Sequence, residues 1–63
     1  MTAKEVIKAL KKDGWFKVNQ EGSHIKFKHP YKKGIPVVPN HPGRDIAIGT
    51  LSKIEKQSGL KLK

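Results

Sequence analysis

Apolar residues at Ala3, Val6, Ile7 and Leu10 recur at the spacing that lines one face of a helix. Lys4, Lys8, Lys11 and Lys12 fill the wet side and the last turn, where positive charge suits the helix dipole. Thr2 and Glu5 have the separation of a capping box, which predicts a helix start at about Ala3. Asp13-Gly14 ends it, with Gly14 as a left-handed cap. The period then falls to two. Trp15 to Gln20 predicts a strand with Phe16 and Val18 inward and Lys17 and Asn19 outward. Trp15, directly after a helix stop, reads as a lid on the core. Glu21-Gly22 supplies a tight turn. Ser23 to about His29 returns as a second strand, in which Ile25 and Phe27 face one way and His24, Lys26 and Lys28 the other.

The rest of the chain is read the same way. His29 to Gly34 is a loop with Lys32 and Lys33 at its tip, and Ile35 to Val38 is a third, short strand. Pro36 has no N–H for a ladder, which places that strand at an edge or restricts its pairing to one side. Pro39 to Gly43 is a loop. A second helix is predicted over about Ile48 to Ser58, with Ile48, Leu51 and Ile54 or Glu55 on successive turns. Asp45 or Thr50 would be its cap. Gly59 stops it and Leu60 folds back as in a Schellman motif; Lys61-Leu62-Lys63 is a frayed tail. The fold class is therefore α+β, ordered α-β-β-β-α. Its apolar stripes are buried most economically as a three-stranded antiparallel sheet with both helices on one face. This is also the order of double-stranded-RNA-binding domains, although a fold alone does not confer function. Residues 1–63 form a single domain.

Charge narrows the partners. Fourteen Lys and Arg against five Asp and Glu give a net charge of +9, the electrostatic footprint of a polyanion binder. A chain of 63 residues buries only about 60% of its unfolded surface, so no deep enclosed pocket is expected. There is no cysteine, which excludes a disulfide framework and a thiolate zinc site. No apolar run is long enough for a membrane span or a secretory signal, and the expected location is the cytoplasm.

Five short motifs occur in order: a first helix ending in Gly14-Trp15; Gly22-Ser23-His24 with Phe27; a strand ending Val37-Val38-Pro39 with a His in the next loop; a helix opening Ile48-Gly49-Thr50-Leu51; and its end at Gln57-Ser58-Gly59-Leu60. Together they resemble the HicA toxins of HicA–HicB toxin–antitoxin pairs over nearly the whole chain. The resemblance implies a double-stranded-RNA-binding-domain-like fold and an endoribonuclease that degrades messenger RNA. It also implies inhibition by a HicB antitoxin and a catalytic role for the His of Gly-Ser-His, which is His24. Pro42-Gly43-Arg44-Asp45-Ile46 departs from the family pattern in a loop that bears on substrate or antitoxin contacts.

The residues themselves support this chemistry. RNA carries its own nucleophile in the 2′-hydroxyl, so cleavage needs proton transfer and charge stabilisation, with no cofactor. Clustered carboxylates for a two-metal site are missing from the sequence pattern, because Glu5, Asp13, Glu21, Asp45 and Glu55 are scattered. His24 is the candidate general acid or base. Candidate RNA contacts are Ser23, Lys17, Lys26, Lys28, Lys32, Lys33 and Arg44, with Lys17 expected across the hairpin on the His24 face. Ser23 beside its own His points to the opposite side of a strand and is no nucleophile for it. His29 and His41, each next to a proline, read as loop-shaping residues, and Phe27 and Tyr31 as packing residues. A second proton-transfer group is not identified. The alternative function is a non-catalytic double-stranded-RNA-binding module that uses the same basic surface.

Overall fold

In the computed structural model, which describes residues 1–62, the capping box is formed as predicted. The Glu5 N–H donates to the Thr2 hydroxyl at 3.3 Å, and the Thr2 N–H donates to the Glu5 carboxylate at 2.9 Å. The Thr2 N–H, and after it the Thr2 hydroxyl, which donates to the same carboxylate at 3.2 Å, hold the Glu5 carboxyl below its ordinary value. Helix α1 follows as Ala3–Lys12, with Ala3, Val6 and Leu10 buried and Ile7 packed against them. It stops where the sequence says, at Asp13 and at Gly14, whose φ is 101°. The chain turns there sharply enough for the Trp15 N–H to reach the Leu10 carbonyl at 3.0 Å. Trp15 is buried as a core lid.

Strands β1 (Phe16–Glu21), β2 (His24–Lys28) and β3 (Val37–Pro39) form an antiparallel sheet in the order β1-β2-β3. The third strand lies at an edge, a placement that suits Pro36, but begins two residues later than predicted. The ladder cannot use Pro36 as donor, and the Ile35 N–H is occupied by the Gln57 side chain at 3.0 Å. The Pro36 carbonyl still accepts from the Phe27 N–H at 3.1 Å. Helix α2 covers Ile48–Ser58, as predicted. Its N-cap is Ala47 with no side-chain bond, rather than Asp45 or Thr50. Asp45 instead pairs with Thr2 in an isolated bridge, fastening the segment before α2 to the start of α1.

Ile25, Phe27 and Val38 from the sheet share one core with Val6 and Leu10 of α1 and Leu51 and Ile54 of α2. Since these strand residues alternate with exposed ones in β2 and half-buried ones in β3, both helices cover the same sheet face and the other face stays open. Ile48, expected on the buried stripe, is 74% exposed; the inward side of α2 runs through Leu51, Ile54 and Ser58. Gly59 is left-handed and donates to the Glu55 carbonyl at 2.8 Å, the single-bond form of the αL cap. The Leu60 N–H goes to Ser58 Oγ at 3.2 Å, so the expected Schellman bond is replaced by a side-chain one. Nor is the tail frayed at Leu62, which is buried and donates its N–H to Glu55 Oε2 at 2.7 Å. Lys63 lies outside the described residues.

One irregularity reorganises the hairpin. From the turn, Glu21 pairs with His24, Gln20 with Ile25 and Asn19 with Lys26; the register then slips, and Lys17 pairs with Phe27 and Phe16 with Lys28. Val18 is thus an extra residue, a β-bulge in which two residues oppose one. Without it Val18 would face Phe27 and Lys17 would face Lys28. The bulge inverts the expected sides of the strand's first half. Phe16 and Val18, predicted inward, are 49% and 45% exposed. Lys17 is carried to the side of Phe27, which spares it a like-charge position opposite Lys28.

Candidate nucleic-acid interface

The open sheet face is built in rows across the strands. Glu21, His24 and Pro39 form the row next to the turn; Asn19, Lys26 and Val37 form the second; Phe16 and Lys28 form the third. Directly opposed residues in such rows have Cβ atoms about 4.5–5.5 Å apart. His24, Lys26 and Lys28 are all exposed, and the alternation with buried Ile25 and Phe27 fixes their direction.

The turn that presents His24 is braced from both sides. Gly22 has φ of 57°, a conformation most side chains resist, and it permits a two-residue connection between Glu21 and His24. Gln20 Nε2 donates to the Gly22 carbonyl at 3.0 Å, while Lys17 Nζ donates to Gln20 Oε1 at 2.8 Å. The Ser23 carbonyl accepts from the Asn40 N–H at 2.6 Å, which ties the turn to the loop after β3. Ser23 is half-buried.

Of the sequence-derived candidates, the structure brings Lys26 and Lys28 onto the His24 face. Lys17 is not with them: it lies in register with Phe27 and braces the turn. Lys28, Lys32 and Lys33 line a shallow depression of about 360 Å³ with His29, Gly34 and Ile35. Lys32 is already engaged there, 2.6 Å from the Asp13 carboxylate and 3.4 Å from the Ser58 carbonyl. Arg44 is exposed in the loop before α2, its N–H bonded to the His41 carbonyl at 3.1 Å.

The other histidines are placed differently. His29 Nδ1 accepts from the Tyr31 and Lys32 N–H groups at 3.1 and 3.3 Å, and Nε2 lies 2.7 Å from the Asp13 carbonyl. This pattern assigns the proton to Nε2, which donates to Asp13. His29 therefore shapes its loop, as the sequence suggested, with its ring edge-on to Trp15. Asp13 also accepts from Trp15 Nε1 at 3.1 Å; the Lys32 bond, and less strongly that of Trp15, holds its carboxyl below the ordinary range. Tyr31, expected to pack, is 90% exposed with its ring tilted against His29. His41 lines a groove of about 470 Å³ between the first turns of α1 and the 40–43 loop. Among the described residues no three His, Cys, Asp or Glu gather where they could hold a metal ion. None of the helices among those residues is long and apolar enough to cross a membrane.

Two features of this face were missed from the sequence. The sequence places Glu21 in the turn, yet it is the strand partner of His24; the signal for this is a two-residue turn at Gly22-Ser23. The alternation in β1 predicts Phe16 inward, and no sequence signal marks the bulge that turns it out.

The sequence model of the family described as HicA toxin of bacterial toxin–antitoxin matches residues 3–60. This chain belongs to the HicA toxin family. No curated protein matches it in sequence. Membership makes the chain the toxin of a toxin–antitoxin system, of a family of RNase-type toxins partnered by HicB antitoxins. The matched segment runs from the first residue of α1 to just beyond α2, so it includes every strand of the open face and all of Gly22-Ser23-His24.

Proposed function

We propose that this HicA chain is a metal-independent endoribonuclease that cleaves messenger RNA in the cytoplasm, with His24 transferring the proton. The observation that carries this reading is the position of His24: an exposed imidazole on the uncovered face of the central strand, in line with exposed Lys26 and Lys28. An imidazole gives or takes a proton near neutral pH, an effect typically worth ~10²–10⁴-fold in rate. The lysines hold the phosphate and offset negative charge as the 2′-hydroxyl attacks. Glu21, across the ladder from His24, supplies a carboxylate able to orient the ring and to favour one tautomer.

The test is incubation of the pure protein with single-stranded RNA in EDTA, beside a His24→Ala variant. Cleavage by the wild type, and its loss with retained RNA binding in the variant, is the expected result. RNA left intact by a folded wild type that still binds duplex would support the double-stranded-RNA-binding module, which the α-β-β-β-α order also suits. A HicB antitoxin would oppose the +9 charge with acidic groups and cover His24. An antitoxin that binds yet leaves cleavage unchanged defeats that part of the reading.

A further inference from the structure

The bulge in β1 puts Phe16 where an ordinary hairpin would not. It stands on the open face with about half its surface in water, in register with Lys28, and Val18 is similarly exposed. Of the two, only Phe16 has a cross-strand partner that fixes its side, and it shares that side with the cationic row of β2. Here the neighbours specify the chemistry. An aromatic plane beside an ammonium group matches a nucleotide, whose base stacks on the ring while its phosphate meets the cation.

We propose that Phe16 and Lys28 form a subsite for an unpaired RNA base and its phosphate, on the same strand that His24 cleaves. The proposal rests on the ribonuclease reading above and adds the substrate form. A base held in a duplex has both faces covered by its neighbours, so only a single-stranded or splayed nucleotide can use this ring. Lys28 and His24 are four residues apart along β2, about 13 Å at 3.3 Å per residue, and this spans roughly two to four nucleotides depending on how far the strand is stretched beyond its stacked rise. Lys26 lies between them on the same face and tracks the intervening phosphate. Of the other rings, Trp15 and Phe27 are buried, and Tyr31 leans on His29 in the loop.

The experiment measures affinity in a His24→Ala background, where RNA stays intact, using a short labelled unpaired RNA and a hairpin RNA of equal phosphate count. Phe16→Ala is expected to weaken the unpaired RNA about tenfold and the hairpin by less than about twofold. Phe16→Leu should match Phe16→Ala, because bulk without a π-face cannot stack, and Phe16→Tyr should retain affinity. Lys28→Gln should lower the salt slope for the unpaired RNA by about one phosphate contact. Thermal melts followed by Trp15 emission establish that each variant is folded. Equal losses on both RNAs, or full rescue by leucine, would overturn the subsite. So would unchanged RNA affinity in Phe16→Ala accompanied by weakened binding of a HicB-type antitoxin, since the face would then be a protein dock. These readouts use binding alone. A wild type that fails to cleave defeats the nuclease reading and leaves the subsite standing if unpaired RNA is still selectively lost.

Discussion

Glu21 and His24 are partners across the β1–β2 hairpin, side by side on the face that the helices leave uncovered. On the proposed function, a carboxylate opposite an imidazole on an otherwise cationic surface would act in two opposed ways: as the group available to orient the ring during proton transfer, and as a like charge that repels the substrate's phosphates. Glu21→Gln separates them. The variant should cleave about tenfold more slowly, within the range for a disturbed acid–base group, while binding RNA as tightly as wild type or slightly more so at low salt. Single-turnover cleavage and anisotropy on the same preparations check both.

Asp13 joins three parts of the chain: the end of α1, Trp15 and the loop lysine Lys32. Its carboxyl is lowered from an ordinary value of 3.8, chiefly by the Lys32 bond. A carboxyl lowered in the folded state stabilises that state above its unfolded value, and the contribution disappears as pH falls through the folded one. The melting temperature should therefore drop as pH falls from about 5 through the acid range. Asp13→Asn should melt lower than wild type at pH 7 and show a smaller further fall across that window. The site is partly exposed, so high salt should shrink the difference.

Gly34 has no room for a side chain. A Cβ there would overlap the Gln57 backbone carbonyl, at the place where the loop is pinned to the last turn of α2. Gly34→Ala should cost about 1–3 kcal/mol by forced separation of the two segments, read as a lower urea midpoint with little change in slope.

Phe27 is almost fully buried at the centre of the core. At ~0.05–0.15 kcal/mol per residue, a chain of 63 residues has roughly 3–9 kcal/mol of stability in all. Removing a buried benzyl group costs ~3–5 kcal/mol. Phe27→Ala should therefore lose most of its cooperative thermal transition at 37 °C, as circular dichroism would show. Phe16→Ala, on the other face of the same hairpin, should melt close to wild type.

Local chemistry made much of the fold legible. The Thr2/Glu5 box, the stop at Asp13-Gly14, the alternation of Ile25 and Phe27 with His24, Lys26 and Lys28, and the helix ending at Gly59 each depend on residues within one turn or one strand. What escaped depends on register and long-range pairing. A bulge changes neither composition nor alternation within β2, yet it moved Phe16 and Lys17 to unexpected sides and left Val18 unpaired and exposed. The Lys32–Asp13 ion pair and the capture of the Leu62 N–H by Glu55 each join residues too far apart in sequence to be read from it. The proposed site was half legible for the same reason: His24 with its lysines lies on a single strand, whereas Glu21 and Phe16 join them only through pairing.

His24 occupies the middle strand, laced to β1 on one flank and β3 on the other, and its turn is moored to Asn40. Dislodging the ring would mean unzipping two ladders together, a sizeable fraction of what keeps so small a molecule folded. Shading it requires only contact. Any inhibitor of this chain is thus cheaper as a cover than as a lever, and its release should return a site needing no refolding before use.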